Sequence, residues 1–341
     1  MPDRRILMIK PSALGDVVHA LPVLRLLRRR FPGAQISWLV ARAFAGLLED
    51  HPDLDQVITF DRHELARTWY RPEGMSGLLR LRRRLREMRF DTVIDLQGLL
   101  RSGILGWMSG AEERFGFREA REMAWLGYNR PVSLNGREMH AVDRYVAVAR
   151  ELGCEPGPIE FRFNHTDADR QWAREQTGGR NYCVLLPGTN WATKRWPIGS
   201  FASLSRRIEK ETGLAAVVCG AGDARALVEA IGPGRCVDLV GKTSLRQLVA
   251  VLEQAAMVVA NDTGPMHIAA ALGRPLVTLF GPTNPARTGP YGRPETVVRA
   301  ELPCSPCYSR RCVHQSCMTL LKVDAVFEAV RRQLAAGSVQ A

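Results

Sequence analysis

Short apolar runs and longer stretches of helical periodicity alternate along the whole chain. In the first half the runs are Ile6–Ile9, Ile36–Val40, Val57–Phe60 and Thr92–Asp95. Short and mostly β-branched or apolar, they read as buried strands. Helical patterns follow at Val17–Arg30, Gly77–Arg89 and Leu99–Ser109. The pattern restarts with runs at Tyr182–Leu186, Ala215–Cys219, Val237–Val240, Met257–Ala260 and Leu276–Phe280. Between them lie helical stretches at Ile198–Glu211, Ala224–Ile231, Ser244–Gln254 and Pro265–Leu272, and a further helix is expected at the C-terminus. Repeated strand-then-helix order predicts an α/β protein with parallel sheets flanked by helices. The restart predicts two doubly wound domains rather than one large sheet. The breaker cluster Cys154-Glu155-Pro156-Gly157-Pro158 sits between the two patterns, so the boundary falls within 155–180 and is taken as 1–165 and 166–341. Two such domains facing each other form a cleft at the carboxyl ends of their strands, where doubly wound sheets bind ligands.

The strand-to-helix loops bear this out. Lys10-Pro11-Ser12-Ala13-Leu14-Gly15-Asp16 follows the first strand. Asp16 reads either as a helix cap or as a cleft carboxylate acting as general base. Leu186–Pro197 is rich in hydroxyl and amide groups and has adjacent cations; Thr189, Thr193 and Lys194 suit phosphate oxygens, against the alternative of a solvated connector. The most informative loop is Asn261-Asp262-Thr263-Gly264-Pro265-Met266-His267, where a strand runs straight into an Ala-rich helix. Thr263 and Gly264 offer N–H groups at a helix N-terminus, a natural seat for pyrophosphate. Asp262 can orient that turn or bind a sugar hydroxyl, and His267 lies one turn into the helix. The Gly-x-Gly of Cys219-Gly220-Ala221-Gly222-Asp223 lacks the full dinucleotide fingerprint, which disfavours an NAD site.

Composition narrows the class. With 341 residues, 46% hydrophobic and 24% charged, the chain is an ordinary globular protein, neither collagenous nor disordered. Its formal charge is +12, and only five of the 47 basic residues are Lys, leaving 42 Arg. Arginine's planar fork suits phosphate and carboxylate, so an anionic ligand is expected unless base composition alone favours Arg codons. No apolar segment is long enough to span a membrane or serve as a signal core, so a cytoplasmic protein is expected. Its eight Cys then read first as thiols or metal ligands. Cys304, Cys307, Cys312 and Cys317, with His314 among them, have spacing suited to a structural Zn or Fe, with reduced thiols and disulfides as alternatives. The Arg80–Arg86 stretch reads as a solvated amphipathic face, or as a contact for anionic lipid headgroups or for the carboxylates and phosphates of an acidic acceptor. Aromatic interleaving of a nucleic-acid module is missing, so no nucleic acid is expected.

The Lys10–Asp16 opening, the Asp95-Leu96-Gln97-Gly98-Leu99 segment, Lys194-Arg195-Trp196-Pro197 and the Asn261–His267 turn together resemble glycosyltransferase family 9, the ADP-heptose:lipopolysaccharide heptosyltransferases and their relatives. The resemblance spans roughly 4–325. Ala120-Arg121-Glu122, Tyr128-Asn129-Arg130 and His140-Ala141-Val142-Asp143-Arg144 are similar to the heptosyltransferase I branch, whereas Thr-Gly-Pro-Met-His resembles the wider family.

This resemblance implies a GT-B fold of two Rossmann-like domains, with acceptor on the first and nucleotide-sugar on the second. It implies an inverting transfer of L-glycero-D-manno-heptose from ADP-heptose to the Kdo/heptose inner core of a lipopolysaccharide precursor (Kdo-lipid A), with no cofactor for catalysis. The family's catalytic aspartate maps onto Asp16. Its donor-binding residues map onto Thr189, Lys194, Asp262, Thr263, Gly264 and His267, with an adenosine-side contact near Asp223. Arg62, Arg118, Arg121 and Arg144 are candidates for the acceptor's carboxylates and phosphates. The enzyme is then expected on the anionic cytoplasmic face of the inner membrane. Two other readings are a family-9 transferase with a protein acceptor or another sugar nucleotide, and a non-catalytic nucleotide- or anion-binding module.

Overall fold

The computed structural model describes residues 4–60, 72–134, 136 and 138–338. The chain divides into two compact units, Met1–Asn164 and His165–Ala341, each with its own sheet.

Unit 1 comprises β1 (Arg5–Ile9), α1 (Leu14–Arg30), β2 (Gln35–Ala41), β3 (Gln56–Phe60), α2 (Pro72–Glu87), β4 (Thr92–Asp95), α3 (Leu100–Ser109), β5 (Glu113–Phe117), β6 (Arg130–Val132) and α4 (Ala141–Glu151), with a short 3-10 turn at Ala124–Gly127. Its six strands are all parallel in the order β3-β2-β1-β4-β5-β6. Ile6 to Ile9 of β1 are buried without exception, as a central strand covered on both faces requires. Leu7, Ile9, Leu39, Ile58, Leu85, Phe90 and Val93 form one side of the core.

Unit 2 comprises α5 (Asp167–Thr177), β7 (Tyr182–Leu186), α6 (Ile198–Thr212), β8 (Ala215–Gly220), α7 (Arg225–Ile231), β9 (Cys236–Val240), α8 (Leu245–Glu253), β10 (Met257–Asn261), α9 (Gly264–Ala271), β11 (Leu276–Phe280), α10 (Pro285–Thr288), β12 (Val297–Arg299), α11 (Ser316–Thr319) and α12 (Val323–Ser338). The strand order is β12-β11-β10-β7-β8-β9, again parallel throughout. Counted from its own first strand, each unit therefore reads 3-2-1-4-5-6, the Rossmann order. Trp196, Phe201, Val218, Val259, Leu279 and Phe327 pack in one core cluster of unit 2.

All nine runs read from the sequence are strands. The structure adds β5, β6 and β12, helices α4 and α5, and the one-turn helices α10 and α11. Gly116 and Pro131 interrupt the apolar signal of β5 and β6, and β12 has only three residues. In α5 only Ala173 and Thr177 are buried; its start is fixed by a capping box in which Thr166 and Asp169 bond reciprocally. Among the described residues no helix is long and apolar enough to cross a membrane.

The strand order decides where chemistry can sit. It reverses between β1 and β4 in unit 1 and between β7 and β10 in unit 2. Loops leaving those neighbours diverge and open a crevice at the carboxyl end of the sheet.

Candidate active site

In unit 1 the loop from β1 delivers Lys10 and Asp16, and the loop from β4 begins at Asp95. Asp16 stands in the first turn of α1, where its Oδ2 accepts from the Ala13 amide at 3.1 Å. The capping role read from the sequence is therefore filled by this oxygen of the carboxylate. Its Oδ1 accepts from the Tyr145 hydroxyl of α4 at 3.1 Å and faces the Lys10 ammonium at 3.8 Å. The Asp16 side chain remains 38% exposed, so a reactant can reach it.

Lys10 is only 2% exposed. Its ammonium donates to the Leu96 carbonyl at 3.0 Å and lies 4.8 Å from the Tyr145 ring centroid. Burial lowers its pKa, and the Asp16 and Asp95 carboxylates oppose that fall. Burial, reinforced by Asp16, drives the Tyr145 phenol well above its ordinary range. Tyr145 therefore stays protonated and acts as a donor to the carboxylate. Asp95, fully buried, accepts from the amides of Gln97 and Gly98 at 2.8 and 3.2 Å and from the Tyr128 hydroxyl at 2.6 Å. Burial raises its pKa, and these donors work in the other direction. A Cβ on Gly116 would lie 2.4 Å from the Tyr128 ring, so glycine is needed there for Tyr128 to reach Asp95.

The arginine candidates separate. Arg144 lies over the Phe117 ring at 5.3 Å and adds to burial in lowering the Lys10 pKa, so it belongs to this cluster. Arg118 is exposed and donates to the Ser133 hydroxyl at 2.9 Å. Arg121 is exposed too, its amide bonded to the Gly98 carbonyl at 3.0 Å. Arg62 lies outside the described residues.

In unit 2 three adjacent strands, β7, β10 and β11, send their loops to one place. Lys194 pairs with Asp262 Oδ2 at 2.6 Å, both side chains largely buried. The same oxygen accepts from the Thr283 hydroxyl at 2.6 Å, and the Asp262 carbonyl accepts from the Thr189 hydroxyl at 3.2 Å. Lys194 also lies 4.5 Å from the Trp191 ring centroid, with Arg310 on that ring at 4.7 Å. The Thr189 amide donates to Asp223 at 3.1 Å, and Arg195 bridges Asp223 and the Thr189 carbonyl. Asn261 joins the loops, donating to the Pro187 carbonyl and accepting from the Trp196 amide. Thr263 is the extended N-cap of α9, Gly264 opens its first turn, and His267 is buried one turn in. A cation, two hydroxyls and the start of a helix are thus gathered around Asp262, a set of donors of the kind that suits an anion. The donor candidates thus share one locality, Asp223 reaching it through Thr189.

Sequence reasoning missed Tyr145 and Thr283 as participants and left Lys10 and Asp95 without roles. Tyr145 directly follows the quoted His140–Arg144 motif, and Thr283 sits in the Gly-Pro loop after β11.

The cysteine segment buttresses the loops around Asp262. Ser305 donates to the Gly281 carbonyl at 2.6 Å, and Thr193 to the Ser309 carbonyl at 2.9 Å. Burial raises the pKa of the Cys317 thiol, and Cys307, Cys312 and Cys304 push it the same way. All four are free. Yet among the described residues no group of three or more His, Cys, Asp or Glu side chains is disposed to hold a metal. The expected structural Zn or Fe thus lacks support in this geometry.

Two Rossmann-like units in one chain, each with a parallel sheet in the Rossmann order, are the architecture of the GT-B class of sugar transferases. Residues 78–318 match glycosyltransferase family 9 (heptosyltransferase), and the chain belongs to that family of enzymes. It is 34% identical over 319 residues to lipopolysaccharide heptosyltransferase 1 of Pseudomonas aeruginosa, covering 91% of this chain and 88% of that protein. Two solved structures of E. coli heptosyltransferase WaaC resemble it closely. One, with ADP, has a TM-score of 0.79 at 28% identity; the other, with ADP-2-deoxy-2-fluoro heptose, has 0.78 at 27%. Each alignment covers 96% of this chain and 99% of the other.

Proposed function

We propose that the protein moves L-glycero-D-manno-heptose from ADP-heptose to the Kdo/heptose inner core of a lipopolysaccharide precursor, inverting the anomeric centre, with Asp16 as general base. The observation that carries this reading is the Asp16 carboxylate: accessible, at a switch-point loop, and steadied by Tyr145 and Lys10. The E. coli relative bound to an ADP-heptose analogue supports the choice of donor.

In the proposed step an acceptor hydroxyl oxygen forms a bond to the anomeric carbon while the bond from that carbon to the β-phosphate oxygen breaks. Its electron pair leaves with ADP, and the hydroxyl proton passes to Asp16. Charge growing on ADP is taken up by Lys194, the Thr189 hydroxyl and the amides around Thr263 and Gly264. His267 supports that turn, and Asp223 serves the adenosine side. Arg144, Arg118, Arg121 and Arg62 meet acidic groups of the acceptor. Unit 1 is then the acceptor body and unit 2 the donor body, on the cytoplasmic face of an anionic inner membrane.

The test is ADP release from ADP-heptose with a Kdo-lipid A acceptor, comparing wild type with Asp16→Asn, alongside calorimetric donor binding. Acceptor-dependent release that collapses in the variant while donor binding persists is expected. Undiminished release by Asp16→Asn overturns the base assignment. Donor binding without transfer points instead to a protein or different core acceptor.

A further inference from the structure

Helix α3 has an apolar outer face. Leu100, Ile104 and Trp107 recur at i, i+4 and i+7 and are exposed, whereas Leu105, Met108 and the glycines at 103 and 106 are buried. Arg101 is its only charged residue. A helix apolar nearly all round belongs inside a core, so the outer stripe needs a partner. The 124–127 turn lies against α3: a Cβ on Gly103 would stand 2.6 Å from the Ala124 carbonyl oxygen, and one on Gly127 2.6 Å from that of Gly103. From this turn and the residue before it Met123, Trp125 and Leu126 project into solvent. These six large apolar side chains on adjoining elements are 41–59% exposed. Single exposed hydrophobes are ordinary; a set of this size with two tryptophans is not.

The helix that neighbours α3, α2, is basic. Its Arg86 guanidinium lies over Gly110, the residue that ends α3. Arg80, Arg82, Arg83, Arg84 and Arg86 are all exposed. Between Ser76 and Glu87 the one carboxylate is Glu87, paired with Arg83 at 2.7 Å.

We infer that α3 and the 124–127 turn form a bilayer-docking face, with Trp107 and Trp125 seated at the interface of an anionic phospholipid membrane and the α2 arginines on its phosphates. Tryptophan favours the water–lipid boundary, and clustered arginine is drawn to an anionic leaflet. A second copy fits less well, because a two-fold contact through this face sets one arginine row against another. The inference rests on the proposed function only for the idea that the acceptor is lipid-linked.

Full-length protein is floated with vesicles of phosphatidylcholine alone or mixed with phosphatidylglycerol, while tryptophan emission is followed. Wild type is expected to float with the mixed vesicles alone, to shift its emission to the blue, and to detach as salt rises. The double variant Trp107→Ser/Trp125→Ser should bind about tenfold more weakly and lose the shift, and Arg82→Glu/Arg84→Glu should lose flotation. If the tryptophan double variant fails to fold, Leu126→Ser gives the same reading. Failure of wild type to float, or undiminished flotation of the variants, overturns the inference. So does a wild-type dimer in sedimentation velocity that the tryptophan variant breaks into monomers. Turnover on a deacylated, soluble acceptor reads the proposed function separately. An enzyme active there that never floats loses only the docking face, and one that floats but transfers nothing loses only the transfer reading.

Discussion

The hydroxyl of Tyr145 donates to Oδ1 of Asp16 across 129 residues of sequence. With the Ala13 amide on Oδ2, both carboxylate oxygens are held, and the side chain points one way. Tyr145→Phe removes one tether without opening a large cavity. We expect kcat to fall about three- to tenfold, the worth of roughly 1 kcal/mol, with donor KM unchanged. Steady-state kinetics with a melting curve checks this; a fall in Tm with kcat intact would make Tyr145 merely structural.

Thr283 and Lys194 converge on the same oxygen of Asp262. Thr283→Val deletes one of the two donors and leaves the pair free to drift. Donor KM should rise several-fold with kcat nearly constant, again about 1 kcal/mol. Lys194→Met should do more, because it also strands a buried carboxylate, costing about 3 kcal/mol of stability. Calorimetric titration with ADP and urea melts separate the two effects.

Asp238 links unit 2 to acid. Burial works against its charge, but Lys242, Arg225 and the Val240 amide outweigh burial and hold its pKa down to about 2. A depressed carboxylate adds stability above its unfolded pKa, near 4, and loses it as pH falls toward 2. Discounted for partial exposure, the contribution is about 1 kcal/mol. Asp238→Asn should be less stable than wild type at neutral pH by that amount, with the gap closing between pH 4 and 2. Urea titrations across that range decide it; a gap that does not depend on pH refutes the linkage.

The thiols should divide into two kinetic classes. Cys304, Cys307 and Cys312 are exposed, whereas burial lifts Cys154 to about 11 and Cys219 to about 12 and also raises Cys183. Native protein is expected to alkylate rapidly at the first three and to modify the buried three only on unfolding. Mass mapping of a timed alkylation reads this directly. Chelator should leave the rapid phase unchanged, and a phase that appears only after chelation would reveal a bound metal.

Much of this architecture was legible because central parallel strands are buried on both faces and leave uninterrupted apolar runs, as at Met257–Ala260. β6 and β12 escaped because each has only three residues, too few for a run to stand out, and Pro131 breaks the apolar signal of β6. The loops holding Asp16, Lys194 and Asp262 were legible because a strand, a short polar stretch and a helix start follow one another directly. Tyr145 was not, since a tyrosine on an amphipathic helix reads as core and its partner is remote in sequence. The Lys194–Asp262 contact joins two loops whose proximity only the strand order β10-β7 creates. The cysteine spacing suggested a ligand set, but spacing along a chain fixes neither the direction of a thiol nor its distance from the next.

That both halves repeat one strand order has an evolutionary consequence. Each half has its own crevice and its own core; under the proposed function, selection can therefore revise leaving-group recognition in residues 165–341 without disturbing the proton acceptor in the other half. Grafting a related C-terminal half with a different nucleotide taste onto this N-terminal half is then a change of one interchangeable part, and donor preference becomes a trait that can be inherited separately from acceptor preference.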